Sequence, residues 1–281
     1  MGLNTGIEWT THTLNPWNGC IKVGIGEECA NCYAADMDKR GLHRDGSHWG
    51  YNTSRLLIRS WVSTLNKARK SAIANNRRET VFVMSMGDIF EVSKPLSKAD
   101  GTKWQTTAQV RDELFSMIPK YPELIFLLLT KRPELVMRTI PDSWLLEWPE
   151  NVWVGASIGM QKNVRRTNYL RGLKVKGANT FVSAEPLLEA VNFGTALDGI
   201  DWVIVGGESE TGFSAGLARP MKPEWATAIR DECREAGVPF FFKQWGQHGQ
   251  DGVRRHKSLN GSLLDGEELK ELPVQFLSPL K

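Results

Sequence analysis

The chain reads as an α/β protein in which six to seven mostly parallel strands build an incomplete (β/α) barrel. Three observations predict this: short apolar runs recur, amphipathic segments alternate with them, and nearly every run ends in polar residues. The runs are TVFVMSM (80–86), LIFLLLT (124–130), VWVGAS (152–157), NTFVSAEP (179–186), DWVIVGG (201–207) and VPFFFKQ (238–244). Unbroken hydrophobicity over so few residues marks a strand covered on both faces. Between the runs lie SRLLIRSWVSTLNKARKSAIA (54–74), AQVRDELFSMIPKY (108–121), MQKNVRRTNYLRGLK (160–174) and KPEWATAIRDECREAG (222–237). Their apolar residues recur three and four apart, which predicts helices packed on the sheet. Alternating strand and helix implies parallel strands joined by right-handed crossovers, and this many units suits a barrel better than a short open sheet. A doubly wound sheet is the alternative, because strand order is invisible in sequence. Residues 1–246 are expected to form the barrel with an N-terminal cysteine loop, and the polar, glycine-containing residues 247–281 an extension or lid.

Composition narrows the setting. With 281 residues, 41% of them hydrophobic, the chain can bury a full core without covalent staples. No basic segment followed by an apolar run opens the sequence, and no stretch of about eighteen apolar residues occurs, so a signal peptide and a membrane span are not expected. The expected location is the cytoplasm. A net charge of +3 permits a polyanionic partner without demanding one.

Three of the four cysteines crowd into NPWNGCIKVGIGEECANCYA (15–34). In a reducing compartment such clusters bind metal or do redox chemistry more often than they form disulfides. Cys20, Cys29 and Cys32 have the spacing C-x8-C-x2-C, and Gly19, Gly24 and Gly26 let the loop fold back. A structural zinc wants a fourth ligand, for which His12, His43 and His48 are candidates; a four-iron cluster on three cysteines keeps one iron open. Cys233 follows Trp225 and Ile229 at four-residue intervals, so it belongs to the apolar face of a helix.

Ligands of parallel α/β proteins collect at the carboxyl ends of the strands. There the sequence puts Ser85 and Asp88, then Thr130, Lys131 and Arg132, then Ser157, Ser183 and Glu185, then Gly206, Gly207 and Glu208, and last Lys243, Gln244 and Trp245. GGESETG looks like a phosphate-cradling loop but lacks both G-x-G-x-x-G and the Lys-Ser/Thr pair of a P-loop.

The run EWTTHTLNPWNGCIKVGIGEECANCYA, followed in order by VFVMSMGDIF, LLLTKRPE, VWVGASI, FVSAEPLLE, DWVIVGGESETG and VPFFFKQWG, resembles the phage-associated three-cysteine-motif family allied to radical S-adenosylmethionine (SAM) enzymes. The likeness extends from about residue 7 to residue 246. It implies a radical SAM type of partial barrel, with a [4Fe–4S] cluster on Cys20, Cys29 and Cys32 and SAM bound to the open iron by its amino and carboxylate groups. The first cysteine gap is longer than in the wider superfamily's C-x3-C-x2-C, an extension typical of this branch. The resemblance also implies that Asp88 and Ser85 meet the methionine end of SAM. Ser183, Glu185, Gly206, Gly207 and Glu208 are the further cofactor candidates. Lys131 or Arg132 would take a carboxylate or phosphate, and Trp17 and Tyr33 would either keep the centre dry or pack the core.

Relatives of this kind resemble components of thymine hypermodification in phage DNA. The implied reaction is an isomerisation of an amino-acid-bearing thymine from an N-linked to a C-linked glycyl form, with an external electron donor. The basic stretches KNVRRTNYLRGLKVK and VRRHK could meet phosphates, and Trp49 or Trp245 could stack on an extruded base. Two alternatives remain: a zinc-stabilised nucleic-acid-binding protein, and a radical SAM enzyme that modifies a protein or small metabolite.

Overall fold

The structure, a computed structural model, describes residues 2–24, 27–39, 48–98, 102–210 and 215–280. Its strands are β1 (His12–Leu14), β2 (Trp17–Asn18), β3 (Arg55–Leu57), β4 (Glu79–Val83), β5 (Pro95–Ser97), β6 (Lys103–Thr106) and β7 (Leu124–Thr130). They continue with β8 (Val152–Ser157), β9 (Asn179–Ala184), β10 (Val203–Gly206), β11 (Phe240–Gln244) and the small hairpin β12 (Leu263–Leu264) and β13 (Glu267–Glu268). The helices are α1 (Tyr33–Met37), α2 (Trp61–Ala74), α3 (Thr107–Met117), α4 (Val136–Thr139), α5 (Asp142–Leu146), α6 (Thr167–Lys174), α7 (Pro223–Ala236) and α8 (Lys257–Asn260).

Seven strands form one sheet in the order β1-β4-β7-β8-β9-β10-β11, and each neighbouring pair is parallel. A doubly wound sheet reverses its order at a switch point. Here the order follows the chain without reversal, which excludes that alternative and is compatible with an incomplete barrel. Alternate residues of each strand enter different cores: Phe126, Leu128 and Val154 pack under the helices, whereas Ile125, Leu127 and Trp153 fill the concave face with Trp9, Phe82, Phe181, Trp202 and Phe276. Period-two alternation is thus present, but both faces are apolar, which is why the runs read as unbroken.

Both edges of the sheet are covered by short antiparallel segments. At β1 the Thr13 N–H donates to the Gly2 carbonyl at 3.1 Å, and Leu3 bridges His12. At β11 the Phe242 N–H donates to Leu269 and the Glu271 N–H to Phe240, at 2.8 and 3.2 Å. Lys270 then reaches across to Glu8, at 2.5 Å, while also donating to the Phe242 and Lys243 carbonyls. Residues of the C-terminal extension therefore serve as edge and wall as well as rim.

Local chemistry accounts for the helix limits. Thr106 and Gln109 form a reciprocal capping box at the start of α3. Pro223 opens α7, and Gly237 ends it at φ 68° in the left-handed region. Two expected helices are corrected. Residues 54–74 split into β3 and α2, because Arg55–Leu57 joins β2, β5 and β6 in a second, four-stranded sheet. Residues 160–174 split into a 3-10 turn (Gln161–Arg166) and α6, as Arg166 turns inward to a buried partner. No helix among the described residues is long and apolar enough to cross a membrane.

His12 and Glu79 staple the edge strand β1 to β4 at 2.7 Å, both fully buried. Burial opposes ionisation of Glu79, but hydrogen bonds from Asn75 and His12 outweigh it and hold the carboxyl below its ordinary value of 4.5. A depressed carboxylate contributes stability above its unfolded-state pKa and loses it as pH falls through the folded value. Urea unfolding should therefore show stability decreasing below about pH 4.5, and the Glu79→Gln protein should lose less over the same acid range.

Candidate metal and cofactor site

The carboxyl ends of the parallel strands surround a cavity of about 430 Å³. Ser85 and Asp88 line it beyond β4, Thr130, Lys131 and Arg132 at and after β7, Ser157 at β8, Ser183 and Glu185 at and after β9, Gly207 and Glu208 after β10, and Lys243 and Gln244 at β11. Cys20, Cys29 and Cys32 line the same cavity, and all three are free thiols. Of the cofactor candidates only Gly206 does not line it.

Four carboxylate–arginine pairs hold the cysteine loop over the strand ends. Glu91 makes a bidentate pair with Arg55, at 2.7 and 3.1 Å and with both side chains fully buried, and also accepts from the Ile21 N–H. Asp88 takes Arg132 Nη1 at 2.8 Å; the same guanidinium donates to the Ile21 carbonyl and approaches Cys20 Sγ at 3.8 Å. Glu28, next to Cys29, accepts from the Gly159 N–H at 2.7 Å and from Arg166 at 2.6 Å. Glu208 binds Arg219, which donates in turn to the Glu27 carbonyl at 3.2 Å, and Asn31 adds a bond to Glu208 at 3.1 Å. The backbone contributes too: the Gly19 N–H donates to the Met86 carbonyl at 3.0 Å, and at Gly19 (φ 112°) an added Cβ would lie 2.3 Å from the His48 carbonyl.

The donor set suits a cluster on three cysteines. Burial pushes the Cys20 thiol up, Asp88 adds to that, and Arg132 opposes it; burial likewise raises Cys32, against a lowering effect of Lys131. These thiols stay protonated until a cation offsets the cost of ionisation, which a bound metal does. A four-donor zinc site gains no support from the histidines. His12 is committed to Glu79 and to the Asn4 N–H, and His48 to Asp38 at 2.9 Å, while His43 lies outside the described residues, as does Gly26. Among the described residues no group of three or more His, Cys, Asp or Glu side chains is placed to hold a metal ion. Cys20, Cys29 and Cys32 nevertheless line one cavity.

The expected cofactor residues are less free than their positions suggest. Asp88 already accepts from the Phe90 and Lys131 N–H groups, the Thr130 hydroxyl and Arg132, so its carboxylate is saturated by protein donors. Glu185 takes the Trp9 indole N–H, the Ser183 hydroxyl and the Lys243 ammonium at 3.1, 3.1 and 2.8 Å. Close approach explains both glycines: a Cβ on Gly206 would meet Glu185 Oε1 at 2.7 Å, and one on Gly207 the Trp245 carbonyl at 1.9 Å. Ser85 receives Asn15 Nδ2 on its hydroxyl at 3.0 Å and the Tyr33 hydroxyl on its carbonyl at 2.6 Å. It follows Met84, whose φ of 65° is strained for a side chain of that size. Of Lys131 and Arg132, Arg132 is committed, whereas the Lys131 ammonium donates to the Ser157 hydroxyl at 3.2 Å and has no acidic partner among the described residues.

Two aromatic expectations are also resolved. Trp17 is fully buried in the core and does not line the cavity, whereas Tyr33 does. Trp245 is 1% exposed, with its indole N–H on the Leu263 carbonyl, so it cannot stack on a base; Trp49 lines the cavity. Sequence reasoning missed Glu28, Glu91, Arg55, Arg166 and Arg219. Glu28 carried a signal, since a carboxylate beside a candidate ligand cysteine invites a search for its counter-ion.

Burial also sets a reactivity order. Cys233 lies buried on α7, its thiol pushed up to about 12 by desolvation. Iodoacetamide mapping of the metal-free protein should modify Cys29 and Cys32 first, Cys20 more slowly, and Cys233 only after denaturant is added.

The sequence matches a family described as a protein of unknown function, DUF5131, over residues 4–273. No curated protein matches it. That match includes the cysteine loop, all seven strands of the large sheet and every pair that holds the loop, so the chain belongs to the DUF5131 family.

Proposed function

We propose that the protein is a radical SAM enzyme that holds a [4Fe–4S] cluster on Cys20, Cys29 and Cys32. One observation carries the reading: three free thiols share a cavity with strand-end polar groups at the carboxyl ends of a parallel, sequentially ordered half-barrel. When bound, the cluster would pass an electron from an external donor to the sulfonium of SAM and so supply hydrogen-abstraction chemistry. The chain's own residues position and exclude. Lys131 offers the methionine carboxylate a cation with no acidic partner among the described residues, and Ser157 orients that ammonium. Ser85 and Glu185 face the same space as acceptors for an amino group. Ile7, Ile21, Phe82 and Leu129 supply an apolar lining that keeps water from the reacting atoms.

The reaction best suited to this chemistry is isomerisation of an amino-acid-bearing thymine in phage DNA, from N-linked to C-linked glycyl-thymine, in the host cytoplasm. Hydrogen removal from a glycyl α-carbon gives a stabilised radical, from which a bond can migrate between nitrogen and carbon.

Anaerobic reconstitution with iron and sulfide should give a brown protein that cleaves SAM on reduction, and Cys20→Ala, Cys29→Ala and Cys32→Ala should each abolish the colour. Cys233→Ala should keep it. Zinc as the only bound metal after oxygen-free purification would remove the proposal. Because Asp88 holds Arg132 against the loop, Asp88→Asn should lower iron content as well as SAM affinity. Full iron occupancy with weakened SAM binding would instead make Asp88 a direct ligand of the cofactor.

A further inference from the structure

Among the described residues, the charges that line the cavity do not balance. Five carboxylates line it, and each has its own basic partner: Glu28 with Arg166, Asp88 with Arg132, Glu185 with Lys243, Glu208 with Arg219, and Glu210 with Arg254. Three lysines line it with no acidic partner among the described residues: Lys22, Lys131 and Lys257. Lys131 is half-buried and is explained by the cofactor. Lys22 and Lys257 are exposed and therefore stand at the mouth. They come from unrelated parts of the chain, the cysteine loop and α8 of the C-terminal segment. Lys22 is steadied by the Ala30 carbonyl at 2.9 Å.

Of the basic stretches singled out in the sequence, VRRHK ends in Lys257, and several of the other cations in both stretches are paired within the fold. Lys162 pairs with Glu27, Arg166 with Glu28 and Lys174 with Asp201; in the second stretch Arg254 pairs with Glu210 and Arg255 with Asp251. Pairing within the fold thus leaves Lys257 as the cation of the second stretch that lines the cavity without an acidic partner among the described residues. Among the described residues, what survives pairing at the opening is positive and lines the same cavity as Trp49 and Ile7. An apolar pocket with cations at its lip has the chemistry of a nucleotide site, with the base inside and phosphate at the rim.

We propose that Lys22 and Lys257 form a phosphate subsite at the mouth, which receives the phosphate groups of a nucleotide whose base enters the cavity. The proposal deepens the reading above and rests on it for the direction of entry, but it concerns binding alone. A free nucleotide and a residue within a polynucleotide share this chemistry.

The test uses the full chain, purified anaerobically, and the anisotropy of a labelled thymidine-rich single strand titrated between about 50 and 200 mM salt. Lys257→Ala, which lies far from the cysteine loop in sequence, should flatten the slope of log affinity against log salt by about 0.7, and the double variant with Lys22→Ala by about twice that. Lys176→Ala, exposed in the turn after α6 and absent from the cavity lining, should leave affinity and slope unchanged. Competition by thymidine monophosphate but not thymidine, with no salt-dependent binding of the strand, would assign the subsite to a mononucleotide. Unaltered binding in both lysine variants, an equal loss in Lys176→Ala, or no binding of either probe would overturn the subsite. Iron content measured on the same samples keeps the two readings apart: a protein that binds the strand through these lysines but never assembles a cluster retains the subsite and loses the enzyme.

Discussion

Everything at the strand ends depends on carboxylates being buried only beside arginines. Removing one member of a buried pair costs about 3–5 kcal/mol, because the survivor is stranded without water, whereas replacing both by apolar groups is often neutral or stabilising. Net stability is therefore a poor reason for four such pairs around one loop. Placement is a better one. Each arginine donates in a fixed fork to a carboxylate and then to a backbone carbonyl, so it converts a side-chain pair into a constraint on the main chain. Arg132 does this for Ile21, Arg219 for Glu27, Arg55 for His48, and Arg166 for Ser157. A glycine-rich loop with no named helix or strand among its described residues thereby acquires the positional definition that cysteines need if they are to meet a common partner.

The half-barrel supplies the other half of that definition. Parallel strands in sequential order bring every carboxyl end to one side, so polar residues far apart in sequence face one space without any loop having to travel. The concave face below is closed by aromatic rings, among them Trp9 against Phe82 at 4.7 Å and Phe276 against Trp153 at 4.8 Å. A dense apolar floor under a polar rim sharpens electrostatics above it, since fields are screened less beside a low-dielectric wall.

How much of this could be read from sequence follows from the physics of each element. Strands such as LIFLLLT are covered on both faces, and an unbroken apolar run is the direct consequence. The edge strand β1 left no such mark: HTL is three residues long and buries a histidine and a threonine, whose polarity is acceptable only because Glu79 and neighbouring backbone lie within reach. Arg55 misled for a related reason, since a fully buried arginine reads as a surface residue of a helix until its carboxylate is known. The three cysteines and the strand-end polar groups were visible because their positions follow from local spacing and one topological rule. Their restraints were not, because Glu28 and Arg166 are 138 residues apart, as are Cys20 and Arg132 by 112, and pairing at that range leaves no periodicity.

The covered sheet edges carry a consequence of their own. A barrel left open on one side presents two rows of unsatisfied backbone groups, each a template on which another copy could add a strand. Residues 2–4 at β1 and 269–271 at β11 occupy those rows in short antiparallel pieces, and Lys270 with Glu8 adds charge across the gap. The molecule can thus keep the width of an unfinished cylinder without its stickiness, because growth of the sheet stops within the chain.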